Sequence, residues 1–149
     1  MIKASISISV RGVPPASKGS YRAVWGCGRS GGRVTRLIPM DAKERPWRQL
    51  IASTIRYRGT KPLIGRDCRV MMDEVYYLRR PSSVSYEQRQ EPTVKPDIDK
   101  LQRALHDALT DSRLIADDSI ITTVKATKMY VDSMDDTGVE AVITWESNK

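Results

Sequence analysis

Apolar residues in this chain recur at two different spacings, and neither an all-helical nor an all-strand fold accommodates both. Ile2, Ala4, Ile6, Ile8 and Val10 alternate with Lys3, Ser5, Ser7 and Ser9. The same period of two runs through Ile120, Thr122, Val124, Ala126 and Tyr130, and again through Val139, Ala141, Ile143 and Trp145. Each run reads as a strand with one face on a core, and Asp135-Asp136-Thr137-Gly138 supplies the turn between the last two. Cys68 to Leu78 is β-rich with apolar residues on both parities, which suits a central strand or a bulge. YRAVW and RVTRLI flank Gly28–Arg33 (GRSGGR), a hairpin tip without the Lys-Ser/Thr ending of a phosphate-binding loop. Two segments instead keep helical spacing. Trp47, Leu50, Ile51, Thr54 and Ile55 predict a helix over 41–57, with Asp41 at the N-cap position and Pro46 near its start. Ile98, Leu101, Leu105, Ala108 and Leu109 predict a second helix over 97–109. The order β, β-hairpin, α, β, α, β, β gives an α+β fold: one domain over 1–149, a small mixed sheet covered by two helices. At 149 residues there is room for one such domain.

Several function classes are excluded at once. No apolar run approaches the ~18 residues that span a bilayer, and the alternating N-terminus is unlike a secretory signal. Cys27 and Cys68 are the only cysteines, so neither a disulfide framework nor a four-ligand zinc set is available, and a reducing, cytosolic setting is expected. His106 is the single histidine and lies mid-helix, which argues against a histidine metal finger or general base. No nucleophile elbow and no Cys-His pairing are present. What remains is a charge imbalance. Residues 1–103 hold 21 basic and 9 acidic side chains, whereas 104–149 hold 4 and 9. Lys43, Arg45, Arg48, Arg56 and Arg58 line the polar face of the first helix, where they are either solvated or follow a phosphate backbone. An arginine-rich, basic chain suits nucleic acid, because guanidinium pairs bidentately with phosphate.

The chemistry concentrates in KPDIDKLQRALHDAL (Lys95–Leu109) and DSRLIADDS (Asp111–Ser119). These follow a long polar segment, RRPSSVSYEQRQEPTVK, so that 79–96 is expected to be a mobile loop. Asp97 falls at the N-cap and Asp99 at the second helical position. Taken alone, such a pair serves as a cap worth ~0.5–2 kcal/mol. The second pair, Asp117-Asp118, changes this reading. A helix over 97–109 is about 20 Å long at ~1.5 Å per residue. Residues 110–117 reach roughly 26 Å, enough to return Asp117 or Asp118 to the helix start. Three carboxylates within ~4 Å repel by ~4 kcal/mol per pair at an effective dielectric of ~20, and a hard divalent cation relieves that repulsion. Acids clustered in a basic protein are what metal-assisted phosphodiester hydrolysis requires. Arg103, four residues beyond Asp99, either pairs with it or meets the scissile phosphate. Lys128 shares the inward parity of Val124 and Ala126, which places it at the sheet rim or in a polar site.

K-P-D-I-D-x-L, D-A-L within the helix, D-D-S-x-I and a strand ending in K-M resemble the RusA-type Holliday junction resolvases, small crossover junction endodeoxyribonucleases of phages and prophages. The resemblance is close from Lys95 to Met129. It is looser from Ile2 to Leu78, where the strand, Pro14, Lys18 and the first helix carry it. It implies a RusA-like fold and resolution of four-way junctions by paired nicks in DNA recombination and repair. It further implies a homodimer in the cytoplasm of a bacterial or phage-infected cell. Asp97, Asp99 and Asp118 are then the ligands of Mg²⁺ or Mn²⁺, with Asp117 as support. Arg103 stands where the family usually has Lys, and Lys100 where it commonly has Asn. Lys18, Arg79, Arg80, Lys95, Lys100, Arg103 and Lys128 are the expected DNA contacts. No small-molecule cofactor and no membrane partner are expected. The alternative, from another class, is a non-cleaving branched-DNA-binding module whose acids are only helix caps.

If the partner is nucleic acid and about six phosphates are contacted, log K should fall with a slope of about −5 against log[salt]. Titrations of a labelled four-way junction between 50 and 200 mM salt (roughly the range where counterion release dominates) measure it, and a slope near zero removes nucleic acid as the partner.

Overall fold

The computed structural model describes residues 3–12, 14, 21–26, 33–39, 44–55 and 57–148. Along the chain run β1 (Lys3–Arg11), β2 (Tyr21–Gly26), β3 (Arg33–Pro39), α1 (Glu44–Ile55), β4 (Cys68–Arg79), α2 (Ile98–Asp111), β5 (Ile121–Val131) and β6 (Gly138–Ser147). Short 3₁₀ turns, Asp118–Ile120 and Met134–Asp136, precede β5 and β6. The main sheet has the order β1-β6-β4-β5, and β2 and β3 form a separate antiparallel pair. This is the expected α+β fold with a mixed sheet and two helices. The hairpin tip, Cys27, Lys18, Lys43, Arg56 and the Asp41 cap lie outside the described residues.

One expectation is corrected. The last two strands flank a short turn, yet they do not pair with each other: β4 lies between them, parallel to β5 and antiparallel to β6. A two-residue period reports which face is buried but not which strand is the neighbour. β4 is therefore central, and its register against β5 shifts between Val70 and Met71.

Alternation along β4 explains how the helices sit. Val70, Met72, Glu74, Tyr76 and Leu78 are buried on one face, while Arg69, Asp73 and Arg79 are exposed on the other. The buried face meets Leu101, Leu105 and Leu109 of α2, Trp47 and Ile51 of α1, and Val139, Ala141 and Ile143 of β6 in one core. Trp47 and Tyr76 meet as a tilted ring pair, centroids 6.3 Å apart. Leu50, expected on the core face of α1, is instead exposed. α1 is tied to α2 by Arg48, whose guanidinium reaches both oxygens of Asp111 at 2.5 and 2.8 Å and Asp107 at 3.4 Å.

Beyond α2, Ile64 clasps the chain in a parallel bridge to Ile115. Its N–H donates to Leu114 O, and the Ala116 N–H donates to Ile64 O, both at 2.9 Å. Residues 114–116 are thereby held near the start of β4. At the opposite end, Gly138 opens β6 with φ +149, and a Cβ there would lie 2.0 Å from the Val10 carbonyl oxygen. Gly138→Ala should lower stability by at least about 2 kcal/mol, because both the backbone angle and the strand contact reject a side chain. Urea unfolding measures this, and an unchanged midpoint refutes the close approach.

Candidate active site

The first turn of α2 carries two of the predicted acids. Asp97 is the N-cap in extended conformation (φ −68, ψ 141), and its carbonyl accepts from Lys100 and Leu101, as a cap carbonyl should. Its side chain makes no capping hydrogen bond. The carboxylate is thus not spent on the helix end and faces solvent. Asp99 is also exposed, with the Lys100 ammonium 3.5 Å from its carboxylate.

A groove of about 650 Å³ opens beside this turn, lined by Thr93, Val94, Lys95, Asp97, Ile98, Thr127 and Lys128 among others. Lys128 has a structural task there. Its Nζ donates to the carbonyls of Val94 (2.8 Å) and Pro96 (3.0 Å), pinning the backbone that delivers Asp97. Burial draws its ammonium below the ordinary lysine range, and the charge of Asp97 partly offsets this. Lys95 is exposed at the rim.

The distal pair is placed elsewhere. The Asp117 carboxylate accepts from the Ser119 N–H at 3.0 Å and from Arg66 at 3.3 Å. Those hydrogen bonds, then the Arg66 charge, hold it below the usual carboxylate range. Asp118 is exposed and lies beside Asp107, far along α2 from Asp97. Burial raises the Asp107 carboxyl. Arg48 opposes the rise, Asp118 and Asp111 add to it, and Arg103 opposes it. Ile121 pairs with Val70, and Lys128 with Tyr76. Six strand residues, about 20 Å at ~3.3 Å each, therefore separate the Asp118 end of the sheet from the Asp97 end. The return of Asp118 to the helix start, allowed by chain length, does not occur within one chain, and among the described residues no three acidic, histidine or cysteine side chains form a ready-made ion site. The cause is topological: a helix joining two parallel strands runs antiparallel to them, so the second strand begins at the helix C-terminus.

The basic residues also divide. Arg79 and Arg103 are exposed. Arg80, expected at DNA, has its guanidinium turned inward. It donates to the carbonyls of Arg89 and Gln90 and lies over the rings of Tyr86 and Tyr130. With its side chain 13% exposed, Arg80 clamps the loop from within.

Sequence reasoning missed one polar cluster. Glu74, fully buried, accepts from the Tyr76 hydroxyl at 2.7 Å and bonds His106 Nε2 at 2.5 Å. Burial, then the charge of Glu74, pushes the Tyr76 hydroxyl far above its ordinary range. The available signal was a carboxylate on the inward parity of β4, which must find a partner on the helix packed over it.

A helix-start acid pair at a groove lined by Glu91, Lys95, Asp97 and Lys128, on a mixed sheet covered by two helices, defines a small α+β domain with its acids exposed at one end of the sheet. Comparison with protein families identifies the member: residues 14–143 match the family described as Endodeoxyribonuclease RusA, and the chain belongs to that family. A search of curated proteins returns no match. Among the described residues, no helix is long and apolar enough to cross a membrane.

Because Asp117 caps with its side chain and Asp97 does not, Asp117→Ala should lower the urea midpoint more than Asp97→Ala. The latter loses only its interaction with the helix dipole, at most ~1 kcal/mol. The reverse order would return Asp97 to a capping role.

Proposed function

We propose that this protein is a divalent-metal-dependent endodeoxyribonuclease that resolves Holliday junctions and other branched DNA by paired nicks, acting as a homodimer in recombination and repair. The observation that carries this reading is the Asp97 carboxylate: at an N-cap, unused for capping, and set in a groove rimmed by Lys95 and Lys128. An acid kept exposed and unbonded at its own N-cap is poorly explained as a helix cap, which disfavours the non-cleaving alternative.

The donor set suits Mg²⁺ or Mn²⁺ in type, since Asp97, Asp99 and Asp118 offer only hard oxygen ligands and are open to the waters such ions keep. When bound, the metal supplies an activated water and stabilises charge on the phosphoryl and leaving oxygens. The chain contributes the rest. Asp97 and Asp99 would hold the ion, Lys128 would keep their backbone in place, and Lys95, Lys100, Arg79 and Arg103 would neutralise the DNA backbone. Because one chain places Asp118 and Asp97 toward opposite ends of the sheet, with about 20 Å of strand between those ends, a complete three-acid site calls for Asp118 of the partner subunit. A two-fold dimer supplies that exchange twice, matching the two equivalent strands of a four-way junction.

Asp99→Asn and Asp118→Asn should each abolish junction nicking in Mg²⁺ by orders of magnitude, while retaining metal-free binding. Asp73→Asn, on the opposite face of the sheet, should nick normally. Mixing the two inactive variants at equal concentration should restore about a quarter of the sites if acids are exchanged between subunits. No recovery on mixing refutes the shared site, near-normal nicking by Asp99→Asn refutes Asp99 as a metal ligand, and a wild type that does not nick in Mg²⁺ refutes the nuclease assignment.

A further inference from the structure

The loop between β4 and α2, expected to be mobile, is built around Arg80 and carries an aromatic ring outward. Its turn is closed by reciprocal bonds: Ser85 N–H to Gln88 Oε1 at 2.8 Å and Gln88 N–H to Ser85 Oγ at 3.3 Å. Val84 N–H donates to Pro81 O, and Arg89 N–H to Ser85 O. On this turn Tyr86 is 59% exposed, the highest value among the exposed large hydrophobic side chains described. The Arg80 guanidinium stands 5.6 Å from its centroid and 4.5 Å from that of Tyr130, so a single cation is shared between two rings. Tyr130 shares the inward parity of Lys128, two residues away on β5. The stack therefore rises from the same end of the sheet as Asp97.

The cluster is held at a cost in hydrogen bonding. Arg89 Nε and the Tyr130 hydroxyl are both buried with no partner among the described residues.

We infer that Tyr86 is the branch-reading residue: its outer face stacks on a base left exposed at the branch point, with Arg80 fixing the ring from behind. The inference rests on the DNA reading above and adds a specificity element to it. In continuous duplex every base face is covered by its neighbours, whereas a branch point interrupts that stacking. An oriented aromatic face binds such a base with little regard to its identity. Held by Arg80, the ring is also oriented before DNA arrives, which lowers the ordering cost of binding.

The test measures metal-free affinity for a four-way junction and for a linear duplex of equal length, using wild type, Tyr86→Ala, Tyr86→Phe and Tyr86→Trp. A junction carrying 2-aminopurine at the branch reports stacking by its fluorescence. Tyr86→Ala should weaken junction binding roughly 5- to 100-fold, leave duplex binding within about twofold, and abolish the fluorescence change. Phe and Trp should retain all three properties of the wild type. Equal losses on junction and duplex, or a junction preference unaltered in Tyr86→Ala, overturns the inference and leaves the nuclease reading standing. A wild type with no junction preference overturns the substrate proposed above and this inference with it.

Discussion

Pairing β4 with β5 in parallel obliges the chain to travel the length of the sheet before the second strand can begin, and α2 makes that journey. The helix covers the inward face of β4 with Leu101, Leu105 and Leu109, all fully buried. The same path sets the electrostatics. Asp97 and Asp99 enter at one end of α2, whereas Asp107, Asp111 and Asp118 gather toward the other. Like charges are thereby kept at opposite ends of one element, and basic groups attend both: Lys100 and Lys128 at the first, Arg48 and Arg103 at the second.

Polar contacts hold this helix in register more specifically than apolar packing alone. Arg48 grips Asp111 with two nitrogens, so α1 and α2 cannot slide past each other without losing a bidentate pair. Beneath α2, Glu74 takes bonds from both Tyr76 and His106. A carboxylate with no exposed surface is tolerable only when it is so matched, and removal of one partner of such a pair typically costs about 3–5 kcal/mol. His106 therefore belongs to the architecture of the helix–sheet interface.

The segment after β4 shows how burial redistributes the tasks of basic residues. Arg79 and Arg80 are adjacent and chemically identical, yet strand alternation sends Arg79 to solvent while the chain's turn brings Arg80 beneath Tyr86 and over Tyr130. Lys128 is likewise drawn into holding the Val94 and Pro96 carbonyls. Both side chains thus spend hydrogen bonds on backbone carbonyls of the segment that leads into α2.

The amino-acid sequence by itself determined the strands, both helices and the α+β class, because burial of one face writes its period directly into neighbouring residues. It also located the acidic motif and the family, since those depend on residue type at short spacing. Helix ends were legible to within a few residues: α2 starts where Asp97 and Pro96 indicate and runs two residues past the predicted end, to Asp111. Partnership between distant residues was not legible. The insertion of β4 between β5 and β6, the burial of Arg80, the Glu74–His106 pair and the separation of Asp118 from Asp97 all depend on which faces meet. Chain length showed only that Asp118 could reach the helix start; the direction imposed on α2 by two parallel strands decided that it does not.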